Sequence, residues 1–402
     1  MNDLKLIGFK VLYILAMLLW SSSEIRSEDW PGWGGITGSL ATNSKNSVFK
    51  NNQLSLQKEW AVEIGSGYSS VSVSNGFAVT GSSDGVNNLL LAFDSESGEK
   101  LWSRNIGPVY KGHTGSHDGP ISTPLIALGK VFMLDPGGKI SAFDLETGTQ
   151  IWTRDLKLEY NAVTPHYGFG SSPLIFGNIL IVQGGGEDGK SLSGFDAYTG
   201  EIVWSSGTGR VEQQSPIIRK IDGTNHLICL SNNLIEARNP EDGSLYWDFK
   251  FDGSNRAIGP PTATIASGTD DQFLFKDSTS FSRLIKISRE FNGWNIEDRW
   301  RTRHLQNTYV PSLYNNGLFF GYNTRILCCV DERTGELLWR SRSPGDGFLI
   351  VVDEHLIVVT KQGKLSVAPA SASGYFEKAG LHLFDDLVWA PPSFADNKLY
   401  VR

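Results

Sequence analysis

Short runs that alternate apolar and polar residues recur along the chain and are separated by turn residues. Examples are GFAVTG (76–81), KVFMLD (130–135), NILIVQ (178–183) and HLIVVT (355–360). Alternation with a period of two, rich in β-branched and aromatic residues, predicts half-buried strands. The 3.6-residue period of amphipathic helices is absent after the N-terminal segment. The pattern therefore predicts an all-β protein.

Many of these runs lead into one repeated eleven-residue motif with a small first residue, Asp or Asn third, Gly seventh and Trp eleventh. The five clear copies are AFDSESGEKLW (92–102), AFDLETGTQIW (142–152), GFDAYTGEIVW (194–204), ARNPEDGSLYW (237–247) and CVDERTGELLW (329–339). The Asp side chain can accept backbone N–H bonds and the Gly supplies a positive φ, so the centre of the motif predicts a hairpin turn.

The spacing of the motif predicts how many strands each repeat contains. Tryptophans at 60, 102, 152, 204, 247, 300 and 339 recur about every 40–53 residues. Four short strands fit into that length, which is the size of one propeller blade. We predict an eight-bladed β-propeller of four-stranded antiparallel blades over residues 56–402, closed by N- and C-terminal strands from 56–64 and 390–402. A seven-bladed count stays open because the fifth and seventh units are degenerate.

We expect the positions that recur in every copy of the motif to hold neighbouring blades together, with each Trp packed between blades. These structural residues are Asp94, Gly98, Trp102, Asp144, Gly148, Trp152, Asp196, Gly200, Trp204, Gly243, Trp247, Asp331, Gly335 and Trp339.

The A-x-D-x-x-T-G-x-x-x-W motif resembles the tryptophan-docking motif of quinoprotein dehydrogenases and of the wider group of PQQ-like repeat propellers. That group includes the outer-membrane assembly propeller of Gram-negative bacteria. The stretches EDWPGWGG (28–35), HDGPISTPL (117–125) and YGFGSSPLI (167–175) are similar to those of exported bacterial members. The resemblance implies the fold for residues 56–402. It does not by itself imply the cofactor, because most motif residues serve to join blades.

The N-terminus has the layout of a secretory signal. Lys5 and Lys10 precede or flank the apolar run VLYILAMLLW (11–20), which is followed by the polar stretch SSSEIRS (21–27). Ten apolar residues fall short of the about 20 that a membrane span needs; an uncleaved anchor is the weaker alternative. We predict a signal peptide at 1–27, a loosely structured N-terminal extension at 28–55, and a protein exported to the periplasm or cell envelope, or secreted.

Charge and cysteine content exclude some functions. The formal net charge is −7, so nucleic acid is not attracted. Three cysteines cannot form a disulfide framework. Cys328 and Cys329 are neighbours, but successive strand side chains point to opposite faces, so we expect buried thiols rather than a vicinal disulfide.

The stretch GGGEDGKS (184–191) matches the sequence pattern of a phosphate-binding loop. A strand rather than a helix follows it, so we predict an ordinary loop.

Loops on the top face of the propeller, which join strand B to C and strand D to the next strand A, contain the binding candidates. They are His113, His117, Asp118, His166, Tyr167, Gln213, Gln214, Arg256 and Tyr309. The spacing H-x-x-x-H-D (113–118) suits zinc or another divalent ion only if a further ligand comes from elsewhere. Ordinary loop polarity is the alternative, and we assign no catalytic or metal-binding residue.

We predict a monomeric, non-catalytic scaffold that binds a protein, peptide or glycan at the propeller face, with no cofactor. The resemblance leaves two alternatives open. One is a quinoprotein oxidoreductase of the alcohol or sugar dehydrogenase type that uses PQQ with calcium. The other is an outer-membrane assembly factor-like protein.

Overall fold

The computed structural model shows an all-β protein with one short helix. It describes residues 29–44, 49, 54–111, 118–165, 167–186, 189–208, 213–231, 234–251, 271–276, 281–306 and 310–402. The predicted signal peptide lies outside these residues. Within them, no helix has the length and apolar character needed to cross a membrane.

The first half of the chain forms blades 1 to 4, each a four-stranded sheet of hairpin-linked antiparallel strands. After β1 (Ala41–Thr42), blade 1 contains β2 (Ser72–Ser74), β3 (Phe77–Ser83), β4 (Asn87–Asp94) and β5 (Lys100–Pro108). Blade 2 contains β6 (Leu125–Ala127), β7 (Lys130–Leu134), β8 (Lys139–Asp144) and β9 (Gln150–Asp155), followed by α1 (Leu156–Tyr160). Blade 3 contains β10 (Leu174–Phe176), β11 (Ile179–Gln183), β12 (Leu192–Asp196) and β13 (Ile202–Ser206). Blade 4 contains β14 (Ile217–Ile221), β15 (Thr224–Leu230), β16 (Leu234–Arg238) and β17 (Leu245–Lys250).

The second half repeats the arrangement with more variation. Blade 5 contains β18 (Gln272–Lys276), β19 (Ser282–Glu290) and β20 (Gly293–Thr302). Blade 6 contains β21 (Leu313–Asn315), β22 (Leu318–Asn323), β23 (Ile326–Asp331) and β24 (Leu337–Ser341). Blade 7 contains β25 (Gly347–Val352), β26 (His355–Thr360), β27 (Lys364–Pro369) and β28 (Ala379–His382), with β1 paired in parallel to β25. The closing sheet contains β29 (Ser393–Ala395) and β30 (Lys398–Tyr400). The predicted all-β propeller of antiparallel blades is confirmed, with seven blades and a two-stranded closing sheet in the described residues.

At most junctions a docking tryptophan packs on the motif glycine of the next blade. Trp102 Nε1 donates to the carbonyl oxygen of Leu145 at 2.9 Å. Gly148 has φ +66°, and a Cβ placed on it would lie 2.6 Å from Trp102 Cδ2. Only glycine satisfies both the left-handed backbone and the contact with the indole ring. The same contact recurs for the pairs Trp60–Gly98, Trp152–Gly200, Trp204–Gly243 and Trp300–Gly335.

The aspartate of the motif fixes the turn that carries this glycine. Asp144 Oδ1 accepts the backbone N–H and the hydroxyl of Thr147, each at 2.8 Å. These hydrogen bonds, of which the backbone N–H of Thr147 has the largest effect, lower the pKa of Asp144 below its ordinary value. The backbone N–H of Gly148 donates to Asp144 O. The turn is thus held by local contacts before any blade packs on it.

The two adjacent cysteines occupy opposite faces of β23. Cys329 lies opposite Trp339 in the ladder, as Ala92 lies opposite Trp102. The ladder position opposite the tryptophan leaves room only for a small side chain. In blade 3 this position is Gly194, and a Cβ on it would lie 2.5 Å from Trp204. Cys328 and Cys329 are free, buried, and pack into different core clusters. Burial raises the pKa of both thiols, so each acts as a small apolar side chain.

Hydroxyl groups link the innermost segments of consecutive blades around the axis. The backbone N–H of Ser70 donates to Thr123 Oγ1 at 3.2 Å. The N–H of Thr123 in turn donates to Ser172 Oγ at 2.9 Å, and the N–H of Ser172 to Ser215 Oγ at 2.9 Å. Each bond satisfies a backbone group that would otherwise be buried without a partner, so the series ties blades 1 to 4 together.

The ring closes between the closing sheet and blade 1. Ser70 Oγ donates to Pro391 O at 3.1 Å, and Ser393 Oγ donates to Val71 O at 2.5 Å. Trp60 stacks on Gly98 of blade 1 and contacts the ring of Tyr400, with ring centroids 6.0 Å apart. Residues 54–65 form no ladder, so the N-terminal run contributes the docking tryptophan rather than a paired strand.

The segment at 29–44 packs against the inner strands instead of being loosely structured as expected. Trp30 and Val73 exchange backbone hydrogen bonds, and Ile126 N donates to Pro31 O at 2.7 Å. Val351 N donates to Leu40 O at 2.9 Å. The indole of Trp30 is buried. These contacts lie near the bottom ends of the inner strands of blades 1, 2 and 7, so the segment covers the axis on the bottom face.

We predict that Gly200→Ala destabilises the protein by about 2–4 kcal/mol, because the new Cβ combines left-handed backbone strain with a clash against Trp152. Gly177→Ala is the matched control. Gly177 has φ +57° with no atom within 4 Å of the new Cβ, so about 1 kcal/mol is expected. Urea unfolding measures both, and equal losses would contradict the role of the indole contact.

We predict that Ser172→Ala costs about 1–2 kcal/mol, because the buried N–H of Thr123 loses its acceptor. Ser171 is the control: it is equally buried, and its Oγ makes no hydrogen bond in the described residues. Ser171→Ala should therefore be neutral or slightly stabilising. Chemical unfolding of the two variants decides the point, and a larger loss for Ser171→Ala would refute the role of the hydroxyl series.

Candidate functional site

The structure describes four of the nine predicted candidates, and these four lie in top-face connections. Asp118 precedes β6 and Tyr167 precedes β10, and both are half-buried. Gln213 and Gln214 precede β14, and Gln214 is buried. The other candidates lie outside the described residues: His113, His117, His166, Arg256 and Tyr309. The proposed H-x-x-x-H-D metal spacing therefore also lies largely outside them. In the described part of the chain, no group of three His, Cys, Asp or Glu side chains could hold a metal ion.

One of the four described candidates, Gln213, contacts the connection that contains a second candidate, Tyr167, in a cluster on blades 2 to 4. Gln213 Nε2 donates to the carbonyl oxygen of Gly168, the residue after Tyr167, at 2.9 Å. The next residue, Phe169, donates its N–H to Pro136 O at 3.1 Å. Gln213 therefore uses its amide to fix the neighbouring connection, which gives it a structural contact in this region.

The same cluster contains Asp135, a buried carboxyl that the sequence pattern did not single out. Asp135 is 6% exposed and lies in the tight Asp-Pro-Gly-Gly turn between β7 and β8. Burial raises the pKa of Asp135 to about 6, partly offset by hydrogen bonds from the backbone N–H groups of Lys139, Gly138 and Gly137. An Asp in a strand-ending turn is ordinary in sequence, so only the packing of neighbouring blades makes it unusual.

A second site, the cationic pocket, lies on the top face between blades 6, 7 and the closing sheet. It is a concave cavity of about 520 Å³, within the size range of small-molecule sites. Four different top-face connections line it. Its lining residues are Arg325, Ile326, Arg342, Gly345, Asp346, Lys361, Gln362, Leu387 and Trp389.

Lys361 is held in place at the centre of this pocket. Its Nζ lies 2.8 Å from Asp346 Oδ2, and both side chains are largely buried. The same ammonium lies 4.5 Å from the ring centroid of Trp389. Trp389 contacts Tyr68 of blade 1 edge to face, with ring centroids 6.3 Å apart. The ion pair and the aromatic contact together fix the position of the Lys361 charge.

Arg325 and Arg342 add two further positive charges to the lining of the pocket. Both are exposed, and neither guanidinium forms a hydrogen bond or ion pair with the described residues. Three cations against the single carboxylate of Asp346 make the lining positive in a chain whose net charge is −7. The sequence held one signal for this site: Trp389 is a tryptophan that falls outside the repeat spacing.

The resemblance raises the question whether this pocket fits PQQ with calcium. Calcium takes six to eight oxygen ligands, mostly carboxylates and carbonyls. Asp346 is the only carboxylate in the lining, and Lys361 already engages its Oδ2. Lys361 also covers one face of the Trp389 ring, which a planar quinone would need for stacking. The donor set of the pocket therefore does not fit a calcium-bound quinone.

Stability should fall as the pH rises from about 4 to 6, by up to about 3 kcal/mol from Asp135 alone. Its folded pKa lies above its unfolded value near 3.8, so the folded state holds the proton longer and loses that advantage as the carboxyl ionises. Asp135→Asn removes this loss, and the stability of the variant relative to wild type should rise over that interval. Urea unfolding at pH 4 and pH 7 measures the difference.

Asp84→Asn is the control for this measurement. Asp84 lies in the corresponding turn of blade 1, where backbone N–H groups of Asn87 and Val86 lower its pKa. Its stabilising effect is present above its unfolded pKa, so Asp84→Asn should instead lose stability relative to wild type as the pH rises. Parallel curves for wild type and Asp135→Asn would contradict the burial of a titrating carboxyl.

Residues 86–264 match a family model described as "Outer membrane protein assembly factor BamB". A search of curated protein sequences finds no significant match. Many solved structures share the fold.

Two quinohemoprotein alcohol dehydrogenases and one methanol dehydrogenase illustrate the similarity. The quinohemoprotein alcohol dehydrogenase from Comamonas testosteroni has 14% identity and a TM-score of 0.65, covering 95% of this chain and 77% of that one. The enzyme from Pseudomonas putida HK5 has 13% identity and a TM-score of 0.63, covering 94% and 75%. A europium-containing methanol dehydrogenase has 14% identity and a TM-score of 0.60, covering 94% and 89%. At these identities the likeness concerns the fold alone, which is that of a β-propeller, and residues 86–264 are in addition similar to the repeats of the matched family.

Proposed function

We propose that this protein is an exported binding scaffold that holds a ligand at its top face without converting it chemically. Residues 1–27 act as the signal peptide in this proposal, and the propeller works in the periplasm or cell envelope. The observation that carries the proposal is the cationic pocket, where Arg325 and Arg342 present guanidinium groups that no described residue neutralises.

The rest of the fold supports binding from the top. The bottom face carries the motif turns that join the blades, and the segment at 29–44 packs there against the inner strands. A ligand that approached from below would have to displace these contacts. The top-face connections contain no motif turn, so their exposed side chains can contact a ligand without loss of the tryptophan–glycine contacts between blades.

Two measurements test the scaffold role. Protein lacking residues 1–27 is assayed for alcohol and sugar oxidation with added PQQ, calcium and an artificial electron acceptor, and no turnover above the protein-free control is expected. Glycan and peptide arrays are then probed with wild type, Arg342→Glu and Arg333→Glu. Arg333 lies in the exposed motif turn on the bottom face and provides a matched charge change.

The expected result is a ligand class that wild type and Arg333→Glu retain and that Arg342→Glu loses at least tenfold. Turnover with PQQ and calcium would refute the scaffold role in favour of a quinoprotein oxidoreductase. Arrays on which all three proteins behave alike would refute the assignment of the binding site to the top face.

The family match over residues 86–264 favours a second candidate, an envelope protein similar to an outer-membrane assembly factor. In that case the top face binds a protein partner. Chemical cross-linking in envelope extracts, followed by identification of the linked protein, tests this role. Outer-membrane assembly proteins linked to wild type and absent with Arg342→Glu would support it; their absence from both would contradict it.

A further inference from the structure

The cationic pocket combines two kinds of group that one class of ligand would use together. Arg325 and Arg342 can each form a two-point hydrogen-bonded pair with an oxyanion. Both guanidinium groups are exposed and without a partner among the described residues, so a ligand does not first have to break an ion pair. The charge of the lining thus points to a carboxylate or phosphate.

The pocket also contains a hydrogen-bond acceptor that lacks a donor. Asp346 Oδ2 is engaged by Lys361 at 2.8 Å, while Asp346 Oδ1 is buried and has no hydrogen-bond partner in the described part of the chain. A buried acceptor without a donor is unfavourable, typically by about 1–3 kcal/mol. A small rotation of the carboxylate would let Oδ1 accept a hydroxyl hydrogen from a ligand in the pocket, which would relieve that cost.

The remaining lining suits a compact ligand with some apolar surface. Gln362 offers an amide, and the exposed side chain of Leu387 lies beside Trp389. A cavity of about 520 Å³ has room for one or two sugar rings rather than for a folded protein segment.

We propose that the cationic pocket binds an acidic sugar, in which an oxyanion pairs with Arg325 and Arg342 and a ring hydroxyl donates to Asp346. This inference rests on the proposed scaffold function and names its ligand class. The oxyanion can be a carboxylate, as in a uronate, or a phosphate ester. The recognised chemistry is the same in both cases.

Calorimetric titration of the protein lacking residues 1–27 with four probes tests the ligand class. The probes are glucuronate, glucose 6-phosphate, glucose and inorganic phosphate. At least one acidic sugar should bind at least tenfold more tightly than glucose and than inorganic phosphate, and its affinity should fall as salt is raised. The ranking of glucuronate against glucose 6-phosphate then identifies the carboxylate or the phosphate as the natural oxyanion.

Variants test the residues. Arg325→Gln and Arg342→Gln should each weaken the acidic sugar about tenfold, and Arg333→Gln on the bottom face should leave its affinity unchanged. Asp346→Ala should weaken the acidic sugar and leave inorganic phosphate unchanged or bound more tightly, because the variant removes the hydroxyl acceptor and a repelling charge. Thermal melting of each variant checks that it is folded. Both arginines are exposed, so their variants should melt within a few degrees of wild type.

Three results would overturn the inference. They are equal binding of glucose and the acidic sugars, equal binding of inorganic phosphate and the acidic sugars, and equal loss in the Arg333→Gln control. In each of these cases the scaffold function stands if the array ligand is still retained. Oxidation of any probe in the presence of PQQ and calcium would instead remove the scaffold function, whichever sugar binds.

Discussion

The whole ring depends on one contact, the indole of a tryptophan lying on the glycine of the next blade. The glycine needs a left-handed backbone and also has no room for a Cβ beside the ring, as at Gly148 beneath Trp102. Each blade is built from hairpins whose strands are close in sequence, so contacts within a blade do not hold it against the next blade. The tryptophan–glycine contact is what converts a row of separate sheets into a ring, and the indole N–H adds a directional bond to the following turn.

Blade 5 shows what happens where the constraint is absent. Its outer hairpin turns at Glu290–Gly293 without the aspartate and glycine of the motif. Trp247 of the preceding blade is still buried and packs on Phe273, but its Nε1 has no hydrogen-bond partner in the described residues. Apolar packing therefore replaces the tryptophan–glycine contact between blade 4 and blade 5, at the cost of an unsatisfied donor. The degeneracy of this unit in sequence has a direct structural counterpart.

The sequence allowed the blades to be predicted because their determinants are local. Asp144, Thr147 and Gly148 lie within five positions of one another, and their hydrogen bonds form inside one turn. The cationic pocket could not be predicted in this way. Arg325 and Trp389 are far apart in sequence and meet only after blades 6, 7 and the closing sheet have packed. The burial of Trp30 was missed for the same reason, since its partner Val73 belongs to a different structural unit.

The tryptophan–glycine contact also explains why the bottom face stabilises the ring and the top face is available for a ligand. Motif turns on the bottom face are committed to the next blade, and a substitution there changes the stability of the ring. The top-face connections contain no motif turn, and their side chains range from a buried carboxyl at Asp135 to the guanidinium groups of Arg325 and Arg342, which have no partner among the described residues. A rigid ring can therefore keep its architecture while the chemistry of its top face varies from loop to loop. For this reason likeness in fold to dehydrogenases leaves the ligand open, and the charges of the pocket, rather than the repeat, carry the argument about function.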